Sequence, residues 1–474
     1  MKRSRFAIAC VMAFVALVGL AGIDFSSTPQ AIRPKLHGAA FAPRLRLRGV
    51  MPNYKAELSA LNLTLCRTHD LTLHDGSERI FDTHFIFPIF SRDAEDPNAY
   101  YFKATDAVVR DIQDCGMDLV FRLGTSIDNR ASGTYANEAR FNTVDPGSAN
   151  YAKYAKVLSH IVLHYAAAPY NVKYFEIWNE ADNSDRLATW QSSSGGAGDL
   201  TKFDTLFATC VKQIKDDLAA AGYTDVKVGG PAYTGFNQTY FKNVMDACVN
   251  KGTYPDFLSW HRYPDDPSQV TALKTDAATA DTWLRNYCSG KSIDRSKIEL
   301  SINEWHAYLN GSAWELGENA YKLGVFTLGT LISLQDSKLD QAQFYGSGYE
   351  TSFAYLDPTT GQLGYQYAAL KMFGEVVKNY TKRYPGSDSY FAATNEDGTK
   401  GCLVVADTGN NASVSLSMSG LSSVSNAKAY ALDKGRKMTE LTSGFSVTST
   451  GVSVTKSQSA PGAYLFTFDM VKAN

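Results

Sequence analysis

Eight short apolar runs, most of them separated by stretches of helical spacing, constrain this chain more than any other feature. They read as strands over Leu45–Met51, Leu63–Asp70, Met117–Leu123, Lys173–Trp178, Val226–Pro231, Asp256–His261, Lys297–Asn303 and Gln341–Gly346. Between them lie amphipathic stripes such as Tyr151, Tyr154, Leu158, Ile161, Val162 and Tyr165, a helix that Pro169 cannot continue. Strand and helix alternating eight times is the count of a closed (β/α)8 TIM barrel.

The pattern changes near Pro385. Short strand-like runs with polar turns follow, among them Tyr390–Asp407, Asn411–Leu421, Ala427–Asp433 and Ala463–Met470, with no convincing helix. The expected organisation is therefore a barrel over 45–383 and a C-terminal β-sandwich domain over 384–474, with a segment 23–44 available to add strands to the sandwich.

The first 22 residues read differently. Lys2, Arg3 and Arg5 precede an apolar stretch from Phe6 to Leu20, a secretory signal pattern too short to span a bilayer. Export, periplasmic or secreted, with a cut near Ala21 or a little later is the expectation, and no later segment is apolar enough to cross a membrane. Six cysteines follow the leader, free to pair in an oxidising compartment in ways the sequence does not choose between. None forms a CxxC pair, and the His160/His164 pair lacks the intervening Glu of a metalloprotease helix, so no metal site is called. No glycine-rich phosphate loop follows a strand and the net charge is −2, so neither a nucleotide cofactor nor a nucleic-acid partner is expected.

Two of the strands end on a carboxylate. Lys173–Asp182 reads KYFEIWNEAD and closes on Glu180; Ile298–Tyr308 reads IELSINEWHAY and closes on Glu304. Each glutamate follows an asparagine. Residues at strand C-termini of a barrel point into its catalytic mouth, and strands four and seven stand on facing sides. Two carboxylates across one ring suit glycoside hydrolysis: one protonated to serve the leaving oxygen, the other ionised to attack or to activate water.

These residues resemble the glycoside hydrolases of clan A, and within it family 39, the β-xylosidase and iduronidase group. WNEAD is similar to the acid/base motif after strand four, INEW to the nucleophile motif on strand seven, CRTHD to the Arg-x-His of strand two, and WHRYP to the His-x-Tyr after strand six. The resemblance implies Glu180 as acid/base and Glu304 as nucleophile. It implies that Asn179 holds the sugar 2-hydroxyl, that Arg67 lies near Glu304 and lowers its pKa, and that Tyr263 donates to Glu304. His69 and His261 would contact sugar or carboxylates. Apart from the resemblance, Trp260 and Trp305 flank these motifs and either stack on the sugar or pack at the rim. Glu180 is expected to carry the raised pKa. Two positions depart from the family: Ala181 stands where Pro usually follows the acid/base, and strand eight ends in QFYGSGY without a Trp, leaving Tyr345 or Phe344 beneath the sugar. The expectation is an exported retaining glycosidase that takes an oligosaccharide or polysaccharide and needs no cofactor. An endo-acting hydrolase of a bacterial or plant polysaccharide and a catalytically inactive carbohydrate-binding protein are the alternatives.

Overall fold

The computed structural model describes residues 20–40, 55–68, 80–125, 147–183, 200–307, 319–346 and 362–473. Eight parallel strands close into a barrel, and two mostly antiparallel sheets form a C-terminal sandwich. Seven barrel strands fall where the sequence puts them: Leu65–Arg67, Asp118–Leu123, Tyr174–Ile177, Lys227–Tyr233, Phe257–Arg262, Glu299–Trp305 and Gln341–Tyr345, strands two to eight. The first does not. It is Gly38–Ala40, which pairs with strand eight on one side and strand two on the other. The barrel therefore begins ahead of the predicted boundary at 45, and the run Leu45–Met51 lies outside the described residues. The reason is steric. A Cβ on Gly38 would stand 2.8 Å from the Ala342 carbonyl oxygen, so the strand is built of small residues and carries no apolar signature.

The helices bury one stripe each against the barrel. Thr201–Ala220 covers Phe203, Leu206, Phe207, Cys210, Val211, Ile214 and Leu218, a spacing of three and four. It stops before Gly222, whose φ of +81° suits a residue without a Cβ. One helix, Gln238–Asn250, was not read from the sequence. Asn237 caps it by accepting from the Thr239 and Tyr240 N–H groups, and Phe241, Val244, Met245 and Cys248 form its buried stripe.

Inside the barrel the two-residue period of each strand sorts side chains by height. Leu65, Tyr174 and Phe257 cluster with Val120 as an apolar plug. Two residues further along the same strands stand Arg67, Glu176 and Ser259, buried and polar. The plug closes one end, and the polar layer above it carries the site.

The sandwich has a seven-stranded and a four-stranded sheet. The N-terminal segment joins both: Leu20–Asp24 pairs with Ser413–Ser419, and Gln30–Ala31 with Lys382–Ser387. The boundary at 22 falls within the first of these strands, and Ile23 and Phe25 are buried in the sandwich core. Residues 1–19 of the predicted leader lie outside the described residues. All six later cysteines are unpaired and buried. His160 and His164 face Glu95 and Asp106 at 3.0 and 2.9 Å, as surface partners of a helix rather than a metal pair. Among the described residues no helix is long and apolar enough to cross a membrane.

Candidate active site

In an ideal strand adjacent side chains point to opposite faces. Asn179 and Glu180 are adjacent, yet both reach the barrel mouth. The backbone breaks its alternation there: Trp178 has φ of +80° and Glu180 of +47°. Such left-handed residues cost on the order of 1–3 kcal/mol each and need surrounding support. Support comes from the Glu180 N–H, which donates to the Ala232 carbonyl at 2.8 Å. Gly124 adds to it, since a Cβ there would stand 2.9 Å from Trp178 Cε3. Strand seven solves the same problem with a bulge. Trp260 pairs with Ile302 and His261 with Glu304, leaving Asn303 as the extra residue. Asn303 and Glu304 can then both turn inward.

The two glutamates meet over His261. One ligand-capable atom from each of Glu180, His261 and Glu304 lies within 4.8 Å of the others. His261 Nδ1 is 3.0 Å from Glu180 Oε1, and its Nε2 is 3.6 Å from Glu304 Oε2. Asn183 Nδ2 donates to Glu180 Oε2 at 2.9 Å. Tyr263 donates its hydroxyl to Glu304 Oε1 at 2.6 Å, and Arg67 Nη1 donates to Oε2 at 3.1 Å. A cation bound between the glutamates would face the buried Arg67 guanidinium, so the arrangement suits protons better than a metal.

Behind this pair stands a third carboxylate that sequence reasoning missed. Glu176 accepts from Arg67 Nε at 2.6 Å, from Ser259 Oγ at 2.6 Å and from Asn303 Nδ2. Arg67 also donates to Asn179 Oδ1 at 2.7 Å. One fully buried guanidinium thus ties Glu176, Asn179 and Glu304 together. The signal was present in the sequence: Glu176 is a charge in the middle of an apolar strand, two residues after the plug residue Tyr174.

Electrostatics differ from expectation at Glu304. Burial pushes its carboxyl above the usual range; His261 and Arg67 pull it down, and Glu180 pushes it up again. Arg67 was expected to keep this group low, but its charge is shared with Glu176, and desolvation wins. His261 is buried, which alone would lower its pKa, yet Glu304 and then Glu180 raise it overall. Burial, with Glu304 next, lifts the Tyr263 phenol well above its ordinary value, so it remains a donor.

Other predicted residues divide. Tyr345 lines the cavity with Glu180, His261, Tyr263 and Glu304. Asn179 is buried, and its Nδ2 has no acceptor among the described residues. Trp305 does not face the cavity: it is fully buried, edge-on to Phe344 at 4.9 Å and Phe326 at 6.1 Å. The strand-seven bulge spends its inward turn on Glu304 and sends the next side chain into the helix layer. Trp260 is likewise buried, against Phe236 and Phe241. His69 lies outside the described residues. The cavity, about 720 Å³, also takes in Asn183, Thr234, Phe236, Arg262 and Asp276, none of them anticipated.

Comparison with known proteins bears on the family and the fold. The sequence model of Glycosyl hydrolases family 39 matches residues 69–291. A β-xylosidase of Caldicellulosiruptor saccharolyticus is 24% identical over 189 residues, which are 38% of this chain and only 35% of the relative. Among solved structures, a glucosidase from Croceicoccus marinus superposes with a TM-score of 0.68 at 19% identity, covering 96% of this chain and all of the other. A monomeric β-xylosidase from Caulobacter crescentus gives 0.62 at 13% identity, covering 95% and 99%. At these identities the structural likeness speaks for the fold.

Proposed function

We propose that this chain, which belongs to glycoside hydrolase family 39, hydrolyses a glycosidic bond with retention of configuration, taking a short β-xyloside-like saccharide. The observation that carries the reading is the pair of carboxylates, Glu180 and Glu304, with ligand-capable oxygens within 4.8 Å of each other across the barrel mouth. Retaining glycosidases hold their carboxyl groups about 5–5.5 Å apart, whereas inverting ones need about 6.5–9.5 Å to seat a water between them.

The roles follow from the neighbours. Glu304, oriented by Tyr263 and Arg67, attacks the anomeric carbon, and the bond to the leaving oxygen breaks as Glu180 delivers its proton to that oxygen. A glycosyl ester on Glu304 results. Glu180, now ionised and held by Asn183 and His261, takes a proton from water; the hydroxide oxygen bonds to the anomeric carbon and Glu304 leaves as carboxylate. His261 spans both carboxylates, so the three groups titrate as one set rather than singly. The Nδ2 of Asn179, which has no acceptor among the described residues, is available to a sugar oxygen, as the family resemblance implies. An inactive binding protein has no use for two acids arranged in this way, which favours catalysis over that alternative.

The test is paired. Glu304→Ala should abolish hydrolysis of aryl β-xylosides, and azide should restore it with a product of inverted configuration. Glu180→Ala should slow substrates with poor leaving groups most. Hydrolysis near the wild-type rate in either variant, or rescue with retention at Glu304→Ala, sinks the assignment. We also propose export, on the strength of Lys2, Arg3, Arg5 and the apolar run to Leu20; a secreted product whose mass retains residues 1–19 would contradict it.

A further inference from the structure

The cavity does not end at the two glutamates. On the Glu180 side it continues along the strand-five loop, which is fastened to the acid/base strand: Asp182 accepts from the Thr234 N–H at 2.9 Å and from its hydroxyl at 2.8 Å. Beyond Thr234 the wall is made by Phe236, by Arg262 of strand six and by Asp276 of the helix Ala272–Lys291. Phe236 is half-buried, braced at 5.5 Å by Trp260 and Phe241 and at 5.9 Å by Trp283.

Arg262 and Asp276 form an unusual pair. Arg262 Nε lies 3.0 Å from Asp276 Oδ2, close enough for an ion pair, yet among the described residues that buried N–H is not aligned on any acceptor. Both side chains keep partial access to the cavity, 38% and 28% exposed. A guanidinium and a carboxylate side by side offer several donors and several acceptors within one sugar's reach. Their charges cancel, so they suit neutral hydroxyls better than an anionic group. An aromatic ring beside them supplies an apolar face for the C–H side of a ring.

Resting on the glycosidase reading above, we infer that Phe236, Arg262 and Asp276 form a binding subsite for a neutral sugar carrying adjacent hydroxyls, on the leaving-group side of the scissile bond. The acid/base glutamate stands where the leaving oxygen must be, the loop that carries Phe236 is fastened to its strand through Asp182 and Thr234, and Arg262 and Asp276 line the same cavity beside Phe236. The size agrees. Even at water's share of about 30 Å³ per heavy atom, a pyranose of about twelve heavy atoms fills only about half of such a cavity. The cavity thus has room for a second ring beside the first.

The experiment compares two leaving groups in one enzyme. Kinetics are measured on a β-1,4-linked xylose disaccharide and on p-nitrophenyl β-xyloside, whose leaving ring bears no vicinal hydroxyls. In Arg262→Ala and in Asp276→Asn the ratio of the two kcat/KM values, disaccharide over aryl, should fall about tenfold or more, the loss expected of a hydrogen bond to a charged group. A ratio within about twofold of wild type in both variants overturns the subsite, because a merely structural ion pair would slow both substrates alike. Should the wild-type protein cleave neither compound, the catalytic reading is what fails. Calorimetric titration with the same disaccharide then decides the subsite: weaker binding in Arg262→Ala upholds it, and unchanged affinity overturns it.

Discussion

Replacing Tyr263 by Phe isolates one short contact to the proposed nucleophile. The hydroxyl donates to Glu304 Oε1 at 2.6 Å, while Arg67 stands at 3.1 Å and His261 at 3.6 Å. Phe keeps the ring and its edge contact with Tyr345 at 6.0 Å, so only the donor is lost. A hydrogen bond to a charged acceptor in a buried site is worth about 1.5–3 kcal/mol, which is a factor of roughly 10 to 150 in an equilibrium. That factor acts on the ionisation of Glu304, because the phenol favours the carboxylate over the carboxylic acid. Burial already lifts this group above an ordinary glutamate; without Tyr263 it rises further.

The sign of the effect follows. Attack requires the carboxylate, so the acid limb of kcat/KM belongs to Glu304 and its neighbours, and it should move to higher pH in Tyr263→Phe. Below the limb kcat/KM should fall by up to the factor above. On the plateau kcat/KM should change little or rise slightly, since a carboxylate that gives up its charge on attack also gives up part of that hydrogen bond. The assay is a pH–rate profile of both proteins on an aryl glycoside. An acid limb that stays in place or moves to lower pH, or a loss independent of pH, refutes the reasoning.

Three further outcomes are expected. Glu176→Gln leaves one acceptor for three donors and a buried Arg67 without its nearest counter-charge, so urea unfolding should show a loss of about 3–5 kcal/mol; an unchanged midpoint would refute the role given to Glu176. Glu304→Gln removes an acid whose folded-state pKa is raised. Such a group contributes stability at low pH that is lost as pH rises through the folded value. The variant should therefore melt higher than wild type above that pH and gain nothing below it; a lower melting temperature at every pH contradicts this. Trp305→Phe should cost about 1–3 kcal/mol as a core substitution and leave KM for aryl glycosides within about twofold; a KM change without loss of stability would return Trp305 to the sugar site.

Much of this was legible in the sequence, and the illegible parts have physical causes. Seven barrel strands announce themselves by apolar runs because helices cover them and other side chains fill the barrel. Gly38–Ala40 is silent because its neighbours' carbonyls leave no room for a side chain. Glu180 and Glu304 stand out as charges closing apolar strands, and Arg67, His261 and Tyr263 through their motifs. Glu176 looked like one more strand residue, although its place two residues beyond Tyr174 puts it on the inward face. Trp305 looked like a sugar platform because alternation cannot reveal a bulge; only pairing with the neighbouring strand shows that Asn303 is the residue in excess. Phe236, Arg262 and Asp276 come from two strand ends and a helix, and nothing local marks them as neighbours.

One arrangement recurs at both glutamates, and it bears on why each follows an asparagine. A regular strand can send only one of two adjacent side chains inward. Here the backbone departs from regularity, by left-handed residues at 178 and 180 and by a bulge at 303, so that asparagine and glutamate enter together. The asparagines then do related work. Asn179 accepts from Arg67, and Asn303 donates to Glu176, the other partner of that same Arg67. Each glutamate is thereby preceded by an anchor to one buried ion pair, and that network, which Arg67 extends to Glu304, helps to hold the irregular backbone together with the hydrogen bond from the Glu180 N–H to Ala232. On this account Asn303→Ala should impair the enzyme through geometry: kcat should fall while the pH dependence keeps its shape, because no group that titrates at the site has been removed. A shifted acid limb in Asn303→Ala would mean instead that the asparagine acts on the proton balance of the carboxylates, and the division between anchor and reactive group would have to be given up.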